Sequence, residues 1–238
     1  MKIEGRNAVS ELLKTDKNID KILIDEALTD EGAKRLIREI KSKKIKIQEL
    51  KKAALDKESE SGRHQGFIAF SSDFKYCEVD DILNNKSGEN NFIVILDSIE
   101  DPHNLGSIIR VCECGGVDGI IIAKDRQVLV NDTVMRISEG AVNHIKIAKV
   151  VNINNAIDEL KQKGIWVYGA ELGGSDIYKT DLKGNIALVI GGEDTGIKRL
   201  TKEKCDAVMS IPMHGKVNSL NASVACGIVV FEALRQRS

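Results

Sequence analysis

The stretch Phe92-Ile93-Val94-Ile95-Leu96-Asp97-Ser98-Ile99-Glu100-Asp101-Pro102-His103-Asn104-Leu105-Gly106-Ser107-Ile108-Ile109-Arg110 changes character twice. Its first five residues are apolar without alternation, the pattern of a strand covered on both faces. A polar turn carrying Pro102 follows, and from about His103 the apolar positions Leu105, Ile108 and Ile109 take up helical spacing. Apolar runs recur downstream at Gly119 to Ile122, Ile145 to Val150, Ile165 to Gly169, Ile186 to Ile190 and Ala207 to Ile211, with helical patterns between them. Such an alternation predicts an α/β fold on a parallel sheet with helices on both faces.

Upstream the signals are shorter. Ala8 to Lys14 and Glu31 to Ser42 read as helical, while Lys21 to Asp25, Ile45 to Gln48 and Phe67 to Phe70 read as extended, which predicts a small α/β layer domain. Periodicity then lapses until Asn91 except for a short helix near Asp80 to Leu83. The expected organisation of the 238 residues is a first domain over 1–72, a linker over 73–91 and a larger domain over 92–238.

Composition removes several classes of function. With 42% hydrophobic and 30% charged residues, and no apolar run near the roughly 20 residues of a membrane span, no membrane role is expected. The opening Met1-Lys2-Ile3-Glu4-Gly5-Arg6 lacks the apolar core of a secretory signal, so a cytoplasmic protein is expected. Cys77, Cys112, Cys114, Cys205 and Cys226 form no C-x-x-C pair and read as small apolar thiols rather than as disulfides or zinc ligands. The net charge of -1 hides an asymmetry: residues 1–70 carry 16 basic and 13 acidic side chains, the remainder 19 and 23. Between Lys34 and Lys52, nine basic residues face only Glu39 and Glu49. Such a stripe can neutralise phosphates, and it can equally be a solvated helix face with its following loop.

Ligands of an open parallel sheet gather beyond the carboxyl ends of its strands, and three of these exits are unusual. The first is the stretch quoted above. The second is Gly191-Gly192-Glu193-Asp194-Thr195-Gly196, and the third Pro212-Met213-His214-Gly215-Lys216-Val217-Asn218-Ser219-Leu220-Asn221. Pro102 and Pro212, the two prolines of the chain, both fall in these exits, where a fixed φ stiffens a turn. The glycine segment is neither a P-loop, because Ile197 follows Gly196, nor a G-x-G-x-x-G dinucleotide fingerprint. It reads as a tight, backbone-exposing loop with one carboxylate, Glu193.

Asn104 near a helix start is either a cap or a polar site group. Arg110, inside an apolar run, is expected to face a pocket or a phosphate rather than a structural ion pair, since an unpaired guanidinium is costly to bury. Ser219 and Asn221 compete to cap a helix over Ala222 to Leu234, and Ser219 lacks the setting of a hydrolase nucleophile. His64, His103, His144 and His214 show no metal-ligand spacing, and no metal is expected.

Taken together and in order, Asp101-Pro102-His103-Asn104-Leu105-Gly106 with Arg110, Gly191-Gly192-Glu193, and Ile211-Pro212-Met213 with Ser219-Leu220-Asn221 make the chain resemble the SpoU branch of the SPOUT methyltransferases over nearly its whole length. Arg63-His64-Gln65-Gly66 and the tail Phe231 to Arg237 are similar to that family as well. The resemblance implies a sheet whose carboxyl-terminal segment is threaded as a trefoil knot, and a small L30e-like α/β domain ahead of it for binding RNA. It implies S-adenosylmethionine held by backbone at Gly191, Gly192, Ile211 and Leu220, and a homodimer whose two subunits build the site. It implies a catalytic set of Asn104, Arg110, Glu193, Ser219 and Asn221 that moves a methyl group to a ribose 2'-hydroxyl of RNA. Because a guanidinium stays protonated, Arg110 is expected to bind the adjacent phosphate and steady the developing alkoxide.

The extra amino-terminal domain looks like that of the ribosomal RNA enzymes, which favours a guanosine of 23S rRNA over a tRNA guanosine. A non-catalytic RNA-binding or ribosome-assembly protein on the same fold is the alternative of another class, against which the complete set Asn104, Arg110, Glu193 and Asn221 speaks.

Overall fold

β5 (Phe92–Asp97) is buried along its whole length, as its unbroken apolar run requires. The computed structural model in which it sits describes residues 2–15, 17–72, 74–84, 88–193, 195–216 and 219–238. Asp194, Val217 and Asn218, named above within loops, lie outside the described residues. The chain divides into two units, Met1–Lys75 and Tyr76–Ser238.

The first unit runs β1 (Lys2–Glu4), α1 (Arg6–Leu12), β2 (Asn18–Asp25), α2 (Glu31–Ser42), β3 (Ile47–Leu50), α3 (Lys52–Glu58) and β4 (Phe67–Ser72). Its sheet has the order β1-β4-β2-β3, antiparallel except for the β2–β3 pair. α2 starts where Asp30 accepts from Ala33 N at 3.0 Å, and it buries Ala33, Leu36 and Ile40 in a core shared with Ile22, Ile24, Phe67 and Ala69. The opposite face of α2, the turn after it, and the segments up to Lys52 leave all nine basic residues of the stripe exposed. Glu31 meets two of them, Lys34 at 3.4 Å and Arg38 at 3.7 Å.

The second unit adds α4 (Val79–Leu83), α5 (Pro102–Cys114), β6 (Gly119–Ala123), α6 (Asp132–Ile137), β7 (Lys146–Val150), α7 (Ile153–Gln162), β8 (Trp166–Asp176), β9 (Ile186–Gly191), α8 (Arg199–Lys204), β10 (Ala207–Ser210) and α9 (Ala222–Arg237) to β5. All six strands are parallel, in the order β10-β8-β9-β5-β6-β7. On one face Ile93, Ile95, Ile121, Ala187 and Val189 pack with Ile153, Ile157 and Leu160 of α7. Val94, Leu96, Ile120, Leu188 and Ile190, next in the alternation, are equally buried on the other face. Part of the segment read as linker belongs to this core, because Val79 and Ile82 of α4 are buried in it and an added Cβ at Gly119 would lie 2.6 Å from Ile82. Among the described residues no helix is long and apolar enough to cross a membrane. Cys112 and Cys226 are buried, Cys77 and Cys205 partly so, and Cys114 is exposed.

Candidate active site

The strand order places β5 beside β9, with β6 and β7 running out on one side and β8 and β10 on the other. That reversal is the switch point at which an open parallel sheet opens a crevice. Asp97 and Gly191 end the two strands as direct partners in register. Asp97 is 1% exposed, and its carboxylate accepts from Lys198 N at 2.9 Å and Lys198 Nζ at 3.2 Å, while its carbonyl accepts from Gly192 N at 3.0 Å. Asp97 therefore ties down both ends of the loop after β9. Sequence reasoning assigns Asp97 no role; an acidic residue closing an apolar strand is the signal that could have found it.

Glycine at 191 is a steric necessity, since a Cβ there would fall 2.2 Å from Gly196 C and 2.3 Å from Ile197 N. A Cβ at 192 would fall 2.4 Å from Ser98 O. The loop thus lies flat against its own return and against the exit of β5, with main chain rather than side chain at its surface.

α5 begins at Pro102, with Asp101 as its cap accepting from His103 N at 3.0 Å. Asn104 is therefore not the cap, and its buried side chain is free to reach across. It accepts from Asn221 Nδ2 at 2.9 Å, and the same Nδ2 donates to Glu193 Oε1. Asn221 Oδ1 meanwhile caps α9, accepting from Ser223 N at 3.0 Å and Val224 N at 3.3 Å. One amide thus joins all three strand exits. Ser219 is exposed and does not cap α9; Asn221 does.

Two cavities flank this junction. The larger, about 290 Å³, is walled by Gly191, Gly192, Ile211, Ser219 and Leu220 together with apolar Ile190 and Met209. The smaller, about 180 Å³, is lined by Ser98, Ile99, Glu100, Asp101, Asn104 and Glu193 among others. Glu193 faces both. Apolar walls with a few polar groups and bared backbone suit a mixed polar and apolar cofactor, and the glycine cradle at 191 and 192 would be filled by any side chain. Glu171, also in the larger wall, accepts from Ile197 N at 3.2 Å and from Lys202 Nζ at 3.1 Å. Cys205, packed 3.3 Å from the Cβ position of Gly169, is pushed up to about 11 by burial and the nearby Asp206 charge, so its thiolate is suppressed. Among the described residues no group of three or more His, Cys, Asp or Glu side chains is arranged to hold a metal.

Arg110 departs from its expected setting. It stands about two turns beyond Asn104 on α5, lines neither cavity, is half exposed, and places Nη1 2.9 Å from Glu139 Oε1. The apolar run around it is helical, so its neighbours turn inward while Arg110 turns to solvent.

Residues 91–231 match the SpoU rRNA methylase family, and residues 2–77 match the family described as RNA 2'-O ribose methyltransferase substrate binding. YacO of Bacillus subtilis strain 168, named as a TrmH family tRNA/rRNA methyltransferase, is 41% identical, with 98% of this chain and 95% of that protein covered. The SpoU methyltransferase AviRb of Streptomyces viridochromogenes, solved in complex with AdoMet, has the same fold at a TM-score of 0.64 and 24% identity, covering 100% of this chain and 90% of its own. The TrmH/SpoU tRNA modifying enzyme of A. aeolicus is similar at a TM-score of 0.58 and 27% identity, with 66% of this chain and 79% of that one covered. The chain belongs to the SpoU rRNA methylase family and is an RNA methyltransferase of that family.

Proposed function

We propose that the protein methylates a ribose 2'-hydroxyl of RNA with S-adenosylmethionine, its target a guanosine of 23S rRNA, and that it acts in the cytoplasm as a homodimer. The observation that carries this reading is the Asn221 amide bonded to both Asn104 and Glu193, standing between a glycine-floored cavity and a smaller polar one. A tRNA guanosine is the second reading, because the relatives' names give both RNAs.

Gly191, Gly192, Ile211 and Leu220 would hold the cofactor against Ile190 and Met209 in the larger cavity. When bound, it supplies an electrophilic methyl group. Asn104 Oδ1 is engaged by Asn221, which leaves its amide hydrogens to orient a ribose oxygen in the smaller cavity. The Glu193 oxygen not taken by Asn221 can accept from a ribose hydroxyl. Asn221, with Ser219 at the wall of the larger cavity, would hold the last loop around cofactor and nucleotide. Positioning and charge stabilisation then supply most of the rate, while the hydroxyl proton passes to the RNA phosphate or to water.

Arg110 belongs to this scheme only if a second copy of the chain delivers it. α5 and α9 lie side by side, with Gly227 against Val111 and Gly115 against Val230. On this pair of helices α9 exposes Val224 at 50% and Phe231 at 48%, seven residues apart on one face. A second copy seated there covers that face, and the exposed Arg110–Glu139 pair is weak enough to give way to an RNA phosphate. The threading of the last segment as a knot and the basic stripe Lys34 to Lys52 as the first RNA contact complete the reading. Tritium transfer from labelled cofactor to 23S rRNA and to tRNA is the test: rRNA labelling alone supports the first target, tRNA labelling alone the second, and labelling of neither removes the reading.

A further inference from the structure

The loop leaving β6 carries a feature that the methyl-transfer site does not use. Arg126 has φ +54°, in the left-handed region that residues with a branched or long side chain seldom occupy. Its side chain is exposed and pairs with no described residue. The residues after it lock the turn. Gln127 is 8% exposed, and its Oε1 accepts from Ile99 N at 2.9 Å, while Val128 N donates to Ile99 O at 2.8 Å. Both backbone groups of Ile99 are thus held by the 126–128 turn. Gln127 Nε2 is buried without a partner, so the contact to Ile99 is kept at a cost.

Ile99 lines the smaller cavity beside Ser98, Glu100 and Asp101. Ser98 is itself left-handed at φ +69°, and its carbonyl fills the space where a Cβ at 192 would fall. The exits of β9, β5 and β6, neighbours in the sheet, are therefore stitched in a row with Arg126 on the outermost. The cavity between the first two carries the carboxylates of Glu100, Asp101 and Glu193. A nucleotide seated there turns its hydroxyl and amino donors to those carboxylates and must keep its phosphates outside them. A turn that needed only its shape would be served by glycine; an arginine held in that shape points to use of the cation.

Resting on the RNA methylation reading above, we propose that Arg126 binds a backbone phosphate of the substrate RNA and so sets the target ribose over Asn104 and Glu193. Lys124 and Asp125 precede it on the same loop and cancel in charge, leaving Arg126 as the net cation there.

The test compares wild type, Arg126→Gly and Arg126→Lys by fluorescence anisotropy with a labelled single-stranded rRNA fragment over a salt series, with thermal midpoints and cofactor calorimetry alongside. Glycine relieves the backbone and removes the charge, so its midpoint should hold or rise while RNA affinity falls roughly tenfold. Its log–log salt slope should flatten by about 0.7, one phosphate contact to a single strand. Lysine should restore most of the affinity and the slope, and cofactor affinity should stay put in both. Unchanged affinity and slope in Arg126→Gly would overturn the assignment, as would a loss that lysine does not rescue and that tracks a lower midpoint. Because binding is read directly, the outcome stands apart from methyl transfer: wild type that binds RNA through Arg126 yet transfers nothing would sink the activity and keep the contact.

Discussion

Asn221 and Asn104 lie 117 residues apart in sequence, yet the Nδ2 of the first donates to the Oδ1 of the second at 2.9 Å. The two sides of the Asn221 amide do different things, since Oδ1 caps α9 and Nδ2 joins the strand exits. Asn221→Asp keeps an acceptor for the cap and loses the donor, whereas Asn221→Ala loses both. Alanine should cost about 1 kcal/mol of cap, a midpoint drop of roughly 3 °C at this size; aspartate should keep more of the midpoint. Both should slow methyl transfer at least about tenfold, the loss of one charge-assisted contact. Full turnover in Asn221→Asp would reduce this junction to a cap.

Gly191→Ala drives a methyl group into the return of its own loop, where Gly196 C and Ile197 N stand 2.2 and 2.3 Å from the Cβ position. Neither contact can be relieved by rotating a side chain. The cost should be about 1–3 kcal/mol of stability, with loss of measurable cofactor binding in calorimetry. Gly184→Ala, where the added Cβ meets nothing within 4 Å, should change neither. Cofactor affinity surviving in Gly191→Ala would move the binding site elsewhere.

Acid should loosen the end of α9. Arg235 foremost, with Gln236, holds the carboxyl of Glu232 at about 2, below its ordinary 4.5. The folded value is the lower one, so this stabilisation is complete above about pH 4.5 and is lost as pH falls toward 2. Gln236 also donates to Thr180 O at 3.0 Å and accepts from Leu182 N at 2.9 Å, so the cluster ties α9 to the segment before β9. In urea titrations, wild type should exceed Glu232→Gln in stability at pH 7, and the gap should narrow between pH 4.5 and 3. A gap independent of pH would contradict the linkage.

If Arg110 acts across a dimer, Arg110→Ala and Asn104→Ala proteins, each inactive alone, should recover activity when unfolded together and refolded. Random pairing gives half heterodimers with one intact site in two, so roughly a quarter of the wild-type sites return. No recovery, with heterodimers confirmed by native mass spectrometry, would return Arg110 to its ion pair with Glu139.

Particular residues mark what could be read from sequence. The helix Glu31–Ser42 and the strand starting at Phe92 were legible because burial on one or both faces imposes their periods. β1 at Lys2–Glu4 and α3 at Lys52–Glu58 were missed, the first being three residues of edge strand and the second burying only Leu55. β8 runs on to Asp176, beyond the expected apolar run Ile165 to Gly169, through Gly173 and Gly174, which carry no apolar strand signal; at Gly174 an added Cβ would lie 2.5 Å from the main chain of Val208. The motif residues Asn104, Glu193 and Asn221 meet as their joint order suggested. Arg110 does not meet them, because an apolar run says that a helix is buried without saying which way its one cation points. Asp97 and Gln127 escaped notice because each works through backbone partners that only tertiary structure brings near.

The most direct measurement of the central claim is nucleoside analysis by mass spectrometry after incubating RNA with S-adenosylmethionine and either wild type or Asn104→Ala. Wild type should yield a 2'-O-methylated nucleoside, methylguanosine foremost, with the added mass on the ribose fragment, and Asn104→Ala should yield almost none. Methyl mass on the base fragment, or equal yields from the two proteins, would contradict the assignment of ribose chemistry to the junction of Asn104, Glu193 and Asn221.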